Sequence, residues 1–280
     1  MDFEKTEACI NTLQTWGYGV MVGKTLHSNS GNYFSGSDQL RLEELQAMMD
    51  DKHIRAILFA RGGYGMGRII EDISFKKFNK FPKWLIGFSD ITVMHNHLLA
   101  NHNTASIHAP MAAAFNEASD MDSILSLQAA IKGETASYSC APHSCNNTGE
   151  AHGVLVGGNL ALLAHIIGTS SDFDTEKRIL FIEDVGEYLY NVDRMLFQLK
   201  RSGKFKKLRG LILGGFTDMK DTERKFGKSI DEILYDFTQS FDFPVCYNFP
   251  VSHGKDNVAL KVGGKYKLVV KTDLVELIEL

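Results

Sequence analysis

Trp84-Leu-Ile-Gly-Phe-Ser-Asp-Ile-Thr92 is the stretch that decides the fold. A short apolar run ends at Gly87, a serine stands at the turn, and a helix-like segment from Ile91 to Leu99 follows at once. Strand, sharp turn and helix in that order read as a nucleophile elbow. Such a turn is strained, wants a small residue at Gly87, and lifts the Ser89 hydroxyl at the end of the sheet. The helix that follows points its first N–H groups toward the same spot, where an oxyanion could form. The usual elbow is G-x-S-x-G, and here the fifth residue is Ile91. The local pattern therefore also fits an ordinary βα turn in which Ser89 or Asp90 caps the helix.

Around this stretch the first half alternates strands and helices. Helical segments are expected at Glu7 to Trp16, Ser37 to Met49 and Arg68 to Ile73, and strands at Gly19 to Val22, Ala56 to Phe59 and Trp84 to Ile86. That alternation implies parallel βαβ units with ligand sites at the carboxyl ends of the strands. Ser89 and the glycine-rich turn Arg61-Gly-Gly-Tyr-Gly-Met-Gly67 both fall at such ends. The fold class is thus α/β: an N-terminal parallel-sheet domain carrying the elbow over 1–134, a polar, aperiodic linker over 135–152, and a smaller C-terminal α/β domain over 153–280. In the last part, strands are expected from Gly153, at Ile179 to Ile182 and at Leu208 to Leu213. Helices are expected at Asn159 to Ile167, Val192 to Lys200 and Ser229 to Gln239, and a hairpin near Val262 and Tyr266 to Val270.

With 44% hydrophobic and 23% charged residues the 280-residue chain has a globular composition. A net charge of −4 gives no basic footprint for nucleic acid, and the Lys200 to Lys207 stretch reads as a solvated helix end. No apolar run approaches the roughly 20 residues that span a bilayer, and the start lacks signal-peptide character, so a cytoplasmic location is expected. Cys9, Cys140, Cys145 and Cys246 have no metal spacing. Cys140 and Cys145 flank one loop and could bridge, but read as free thiols. His95, His97, His102 and His108 lie close together with poor spacing for a metal. No metal and no cofactor is expected.

A serine nucleophile needs a base, and the base an orienting carboxylate. His253 stands out in the Pro- and Gly-flanked loop Phe249-Pro-Val-Ser-His-Gly-Lys-Asp-Asn257, although a surface turn histidine would look the same. For the acid, the apolar strand Ile179-Leu-Phe-Ile-Glu-Asp184 ends in two carboxylates, with Glu187 beyond. Strand alternation puts Glu183 and Asp184 on opposite faces, and the residues alone leave the three open.

Taken together these pieces resemble the LD-carboxypeptidase (muramoyltetrapeptide carboxypeptidase) family of serine peptidases. The resemblance rests on Arg61-Gly-Gly-Tyr-Gly65, Gly87-Phe-Ser-Asp-Ile-Thr92, Gly157-Gly-Asn-Leu160 with Gly168-Thr169, Phe181-Ile-Glu-Asp-Val-Gly-Glu187 with Tyr190 to Arg194, and Ser252-His-Gly254. The five motifs occur in register and span essentially the whole chain. The resemblance implies a Ser-Glu-His triad of Ser89, Glu183 and His253. It implies hydrolysis that releases terminal D-alanine from murein tetrapeptides, in cell-wall peptide recycling. Asp90 and Gly63 are the expected oxyanion N–H donors, and Gly62 and Tyr64 the expected substrate contacts. The murein tetrapeptide is the expected partner, with no nucleic acid or membrane, and the chain is expected to be a homodimer. Two departures stand out. Family members usually begin with an extra strand before the helix seen at Glu7. They also often have Leu-Pro where this chain has Leu260-Lys261, a change expected to touch only a strand edge. The alternatives are a microcin-immunity-type peptidase acting on an aminoacyl-nucleotide conjugate, for which no stacking aromatic is evident in the second half, or a non-catalytic ligand-binding protein.

Overall fold

The computed structural model describes residues 4–27, 34–116 and 120–280. In the first half, helix α1 (Glu4–Thr15) and helix α2 (Asp38–Asp50) precede strand β1 (Ala56–Leu58) and the one-turn helix α3 (Met66–Ile69). Strand β2 (Trp84–Gly87), helix α4 (Thr92–His102), strand β3 (Ser106–His108) and helix α5 (Met121–Lys132) follow. Ser37 starts α2 because its hydroxyl accepts from Leu40 N–H, one of the donors a helix start leaves unpaired. β1, β2 and β3 are parallel neighbours, as the alternation implies.

The second half contains strands β4 (Ser137–Cys140) and β5 (Gly149–Asn159), helix α6 (Leu160–His165), strand β6 (Ile179–Val185), helix α7 (Leu189–Arg201) and strand β7 (Gly210–Thr217). Helix α8 (Ile230–Thr238) and strands β8 (Val245–Cys246), β9 (Leu260–Val262), β10 (Lys265–Val270) and β11 (Val275–Glu279) complete it. Seven of these strands form one sheet in the order β4-β11-β10-β5-β6-β7-β8. Its β5 to β8 part is parallel, and β6 lies between β5 and β7 with every residue from Ile179 to Asp184 buried. That double burial is why Ile179 to Ile182 is an unbroken apolar run.

Several expectations need correction. The larger sheet belongs to the second half, not the first. Residues 135–152 are not an unstructured linker: they hold β4 and the start of β5, because the antiparallel partners β10 and β11 supply ladders that their polar sequence does not advertise. Gly19 to Val22 forms no strand. β9 and β10 are no hairpin: β9 pairs with β3 and completes the first sheet, while β10 pairs with β5 and β11. The chain changes sheets at Gly263, whose φ of +93° needs no Cβ. Lys261, at the Leu-Pro position, is buried in β9, with its ammonium on Glu279 (2.9 Å) and its N–H on the Tyr266 hydroxyl rather than on β3. A proline there would break no ladder bond, so the substitution exchanges a ring for an ion pair. Lys204 is also buried, held by Asp172 at 2.6 Å, so the basic stretch after α7 is not wholly solvated. Cys140 meets Cys246 rather than Cys145, since the two ends of the seven-stranded sheet curl together there, and all four cysteines are free.

One core cluster crosses between the halves: Leu85, Met94 and Leu98 pack in the same body as Val156, Leu160, Leu180 and Leu211. The first sheet is the less enclosed of the two. A groove of about 1500 Å³ runs along β1, the outer strand of the first sheet among the described residues, between α1 and α2 to the glycine-rich turn.

Candidate active site

Ser89 has φ +61°, in the left-handed region that a side chain seldom adopts. The strain is held from three sides. A Cβ at Gly87 would stand 2.9 Å from Ile91, so the strand end requires glycine. A Cβ at Gly62 would stand 2.8 Å from Ser89 Cβ and 3.0 Å from its Oγ, so the glycine-rich turn packs directly on the serine. Beneath the turn, His95 donates from Nε2 to Gly87 O (2.8 Å), and its Nδ1 accepts from the Ser106 hydroxyl (2.8 Å). Full burial lowers His95 to about 4, which keeps the ring neutral and suits that donor–acceptor pair.

Asp90 follows the serine and is buried. Its Oδ2 accepts from Met66 N–H (2.8 Å) at the start of α3, which ties the glycine-rich turn to the elbow. Burial raises the Asp90 pKa. Gly63 has φ +116° and open space where a Cβ would be, and Tyr64 is half-exposed beside it. Gly62, Gly63, Tyr64 and Asp90 all border the groove.

The second half brings the acid and the histidine. Glu183 is fully buried on β6, and its Oε2 meets His253 Nδ1 at 2.6 Å. A break in the β6–β7 register makes the contact possible. Ile182 pairs with Leu213 and Asp184 with Phe216, so Gly214 and Gly215 together oppose Glu183 alone. This β-bulge re-aims the local side chains, as bulges beside functional sites do. Both bulge residues must be glycine. A Cβ on Gly214 would lie 2.1 Å from Val251 O, and one on Gly215 would lie 2.5 Å from Ser252 Cβ. Their absence lets the Val251–His253 segment dock, with Gly215 N–H donating to Val251 O (2.9 Å). The Ser252 hydroxyl then accepts from Gly254 N–H (2.9 Å) and donates to Asp256 O (2.9 Å), closing the loop on itself.

Alternation along β6 separates the two acids as expected. Asp184 faces the other way and accepts from Asn159 Nδ2 (2.8 Å), Val185 N–H (2.8 Å) and Ala161 N–H (3.1 Å). Burial pushes Asp184 up to about 7. Glu187 accepts from Asn191 on α7. Only Glu183 reaches His253.

The two halves meet at the elbow. The His253 ring packs on Phe88, the residue before Ser89, with centroids 4.7 Å apart. Asn159 N–H donates to the Thr92 hydroxyl at the head of α4 (3.1 Å), and a Cβ on Gly158 would strike that threonine. Ser89 Oγ has no hydrogen-bond partner among the described residues. An unengaged hydroxyl one residue from the Phe88 on which a carboxylate-oriented imidazole packs is compatible with hydrolase chemistry, in which such contacts tighten when substrate binds.

The clustered histidines fall in two pairs: His97, bonded to Ser171, and His102 both stack on Phe75, while His95 under the elbow lies near His108, which is bonded to Asn257. Among the described residues no group of three or more His, Cys, Asp or Glu side chains is placed to hold a metal. The sequence reading missed the Gly214–Gly215 bulge, His95, and the stacked, exposed pair Tyr188 and Tyr190 just past β6. A glycine pair inside the apolar run Leu211 to Phe216 was the available signal for the bulge.

Residues 1–109 match the family model for the LD-carboxypeptidase N-terminal domain, and residues 152–268 match that for the C-terminal domain. The chain is 33% identical over 268 residues to the Bacillus subtilis protein named "Probable murein peptide carboxypeptidase", covering 94% of this chain and 84% of that one. It is 29% identical over 271 residues to the murein tetrapeptide carboxypeptidase of Pseudomonas aeruginosa, covering 92% and 86%. The crystal structure of muramoyltetrapeptide carboxypeptidase from Oxalobacter formigenes superposes with a TM-score of 0.88 at 29% identity, covering 99% of this chain and 94% of that one. The microcin C7 self immunity protein MccF superposes with a TM-score of 0.86 over 99% of this chain and 91% of that one. At 20% identity it shares the fold alone.

Proposed function

The chain belongs to the LD-carboxypeptidase family, and on that premise we propose that Ser89, Glu183 and His253 carry its hydrolysis of murein tetrapeptides. The observation that carries the assignment is the 2.6 Å contact between buried Glu183 and His253, beside a serine held at φ +61°. In this reading His253 Nε2 takes the Ser89 proton as Oγ attacks the carbonyl between the L-centre of the third residue and the terminal D-alanine. Glu183 keeps the Nδ1–H tautomer and stabilises the imidazolium that forms. The backbone N–H groups of Asp90 and Gly63 receive the oxyanion, and losing one such donor costs about a hundred- to a thousandfold in rate. His253 returns its proton to the leaving nitrogen, D-alanine departs, and water repeats the cycle on the acyl-enzyme. Gly62 and Tyr64 flank the peptide.

We further propose a cytoplasmic homodimer, as the family resemblance implies; separately, no described helix is long and apolar enough to cross a membrane. An aminoacyl-nucleotide conjugate is the second reading, favoured by the exposed pair Tyr188 and Tyr190, whose faces a base could join.

The test is D-alanine release from L-Ala-γ-D-Glu-L-Lys-D-Ala and its diaminopimelate counterpart, with Ser89→Ala alongside. The parent should release D-alanine, and the variant should lose about five to six orders of magnitude in kcat while unfolding at the same temperature. Release by Ser89→Ala at the parent rate would overturn the assignment. Cleavage of an aminoacyl-nucleotide conjugate with neither tetrapeptide turned over would select the second reading.

A further inference from the structure

The site is electrically lopsided. One wall is β6, whose Glu183 carboxylate reaches the site through His253, while Asp184 faces away from it and Glu187 is held by Asn191. The facing wall is the glycine-rich turn, Arg61 to Gly65, packed on Ser89 through Gly62. A peptidase that removes one C-terminal residue must hold that residue's free carboxylate. The carboxylate carbon lies only about 2.5 Å from the scissile nitrogen, two covalent bonds away. It therefore sits close to Ser89 Oγ, and Coulomb repulsion turns it away from the Glu183 carboxylate.

Three arginines stand on the turn's side, and two are already engaged. Arg41 and Arg68 share Asp38, and Arg41 also donates to Gly65 O (3.2 Å). Arg61 differs. It is exposed, it borders the groove with Gly62, Gly63 and Tyr64, and its guanidinium has no ion-pair or hydrogen-bond partner among the described residues. It is also the residue next to Gly62, whose Cβ position lies 3.0 Å from Ser89 Oγ. A planar guanidinium fork matches a carboxylate in two parallel hydrogen bonds.

The geometry points to Arg61 as the residue that recognises the substrate's terminal carboxylate and so restricts the enzyme to removing a C-terminal residue. This rests on the carboxypeptidase reading above. It also orients the substrate: the departing D-alanine lies toward the turn, and the rest of the peptide lies away from it.

The test compares kcat/KM on the tetrapeptide ending in free D-alanine with that on the same peptide ending in D-alanine amide. It uses the parent, Arg61→Lys and Arg61→Gln, each checked by thermal unfolding. The parent should favour the acid on the order of a hundredfold, because a neutral amide leaves a charged fork half-matched. In Arg61→Gln that ratio should fall to near one, with Arg61→Lys between. A parent that cleaves both peptides equally, or an Arg61→Gln that keeps the parent's ratio, would overturn the assignment. A parent inert on both peptides would instead overturn the carboxypeptidase reading, and this assignment with it.

Discussion

The four-stranded sheet and the seven-stranded sheet each bring one side of the site, and they do it by different means. The first offers Ser89 on a left-handed backbone after β2, under a glycine-rich turn that borders a groove of about 1500 Å³. The shape there comes from close packing at Gly62 and Gly87 and from the buried His95 and Asp90 side chains that tie the turn to the elbow. The second holds Glu183 at 0% exposure between two neighbouring strands and hangs His253 on it through a side-chain hydrogen bond. A left-handed residue held by its neighbours suits the proposed nucleophile, because its backbone is fixed before substrate arrives. A buried carboxylate suits the orienting role, because a dry, fixed acceptor holds one tautomer.

The comparison breaks most sharply at Glu183. If the second sheet works through its carboxylate, Glu183→Gln should cost about 10³- to 10⁴-fold in kcat with little change in KM, because the amide leaves the imidazole in the wrong tautomer. D-alanine release measures it. A loss under tenfold would mean that the buried strand serves as scaffold alone.

Asp184 tests the same sheet through stability. Its carboxyl is raised from the ordinary value of 3.8 to about 7 by burial. Between those values the folded chain holds the proton and the unfolded chain releases it. Stability therefore falls as pH rises across that window, and above it the fold carries a buried charge. The cost is at most roughly 4 kcal/mol at neutral pH. Urea unfolding at pH 5 and pH 8 should show the loss, and Asp184→Asn should flatten it. A parent equally stable at both pH values would show that the Asn159, Ala161 and Val185 donors fully offset the burial.

Much of this division was legible in the residues, and the misses have physical causes. Ser89, the β6 strand and the His253 loop are read from local order, because apolar runs, turn residues and helix starts are local signals. Choosing Glu183 over Asp184 and Glu187 needed a resemblance, since alternation separates faces without saying which face the histidine approaches. The bulge stayed hidden because Gly214–Gly215 matters only through a loop 36 residues later. β4, the start of β5 and the placement of β9 were misread because their ladders come from partners more than a hundred residues away, and a polar strand carries no apolar run. His95 looked like one of a crowd; only the fold puts it under Gly87.

The smallest effect separates two reasons for glycine within the first sheet's own turn. Gly62 has an ordinary backbone but no room: a methyl there would press on Ser89 at 2.8 Å. Gly63 has room but a φ of +116°, which a Cβ makes costly. Gly62→Ala should cost about 1–3 kcal/mol through overpacking and lower kcat about a hundredfold, since displacing a reacting atom by about 1 Å costs that much. Gly63→Ala should lower stability by about 1 kcal/mol or more and disturb catalysis only as far as the turn shifts. Measuring kcat and the urea midpoint on both variants reads the two effects independently. If Gly62→Ala destabilises without slowing turnover, the turn merely packs on Ser89. If it slows turnover far more than Gly63→Ala does at a similar loss of stability, close contact of the turn on Ser89 sets where the hydroxyl stands.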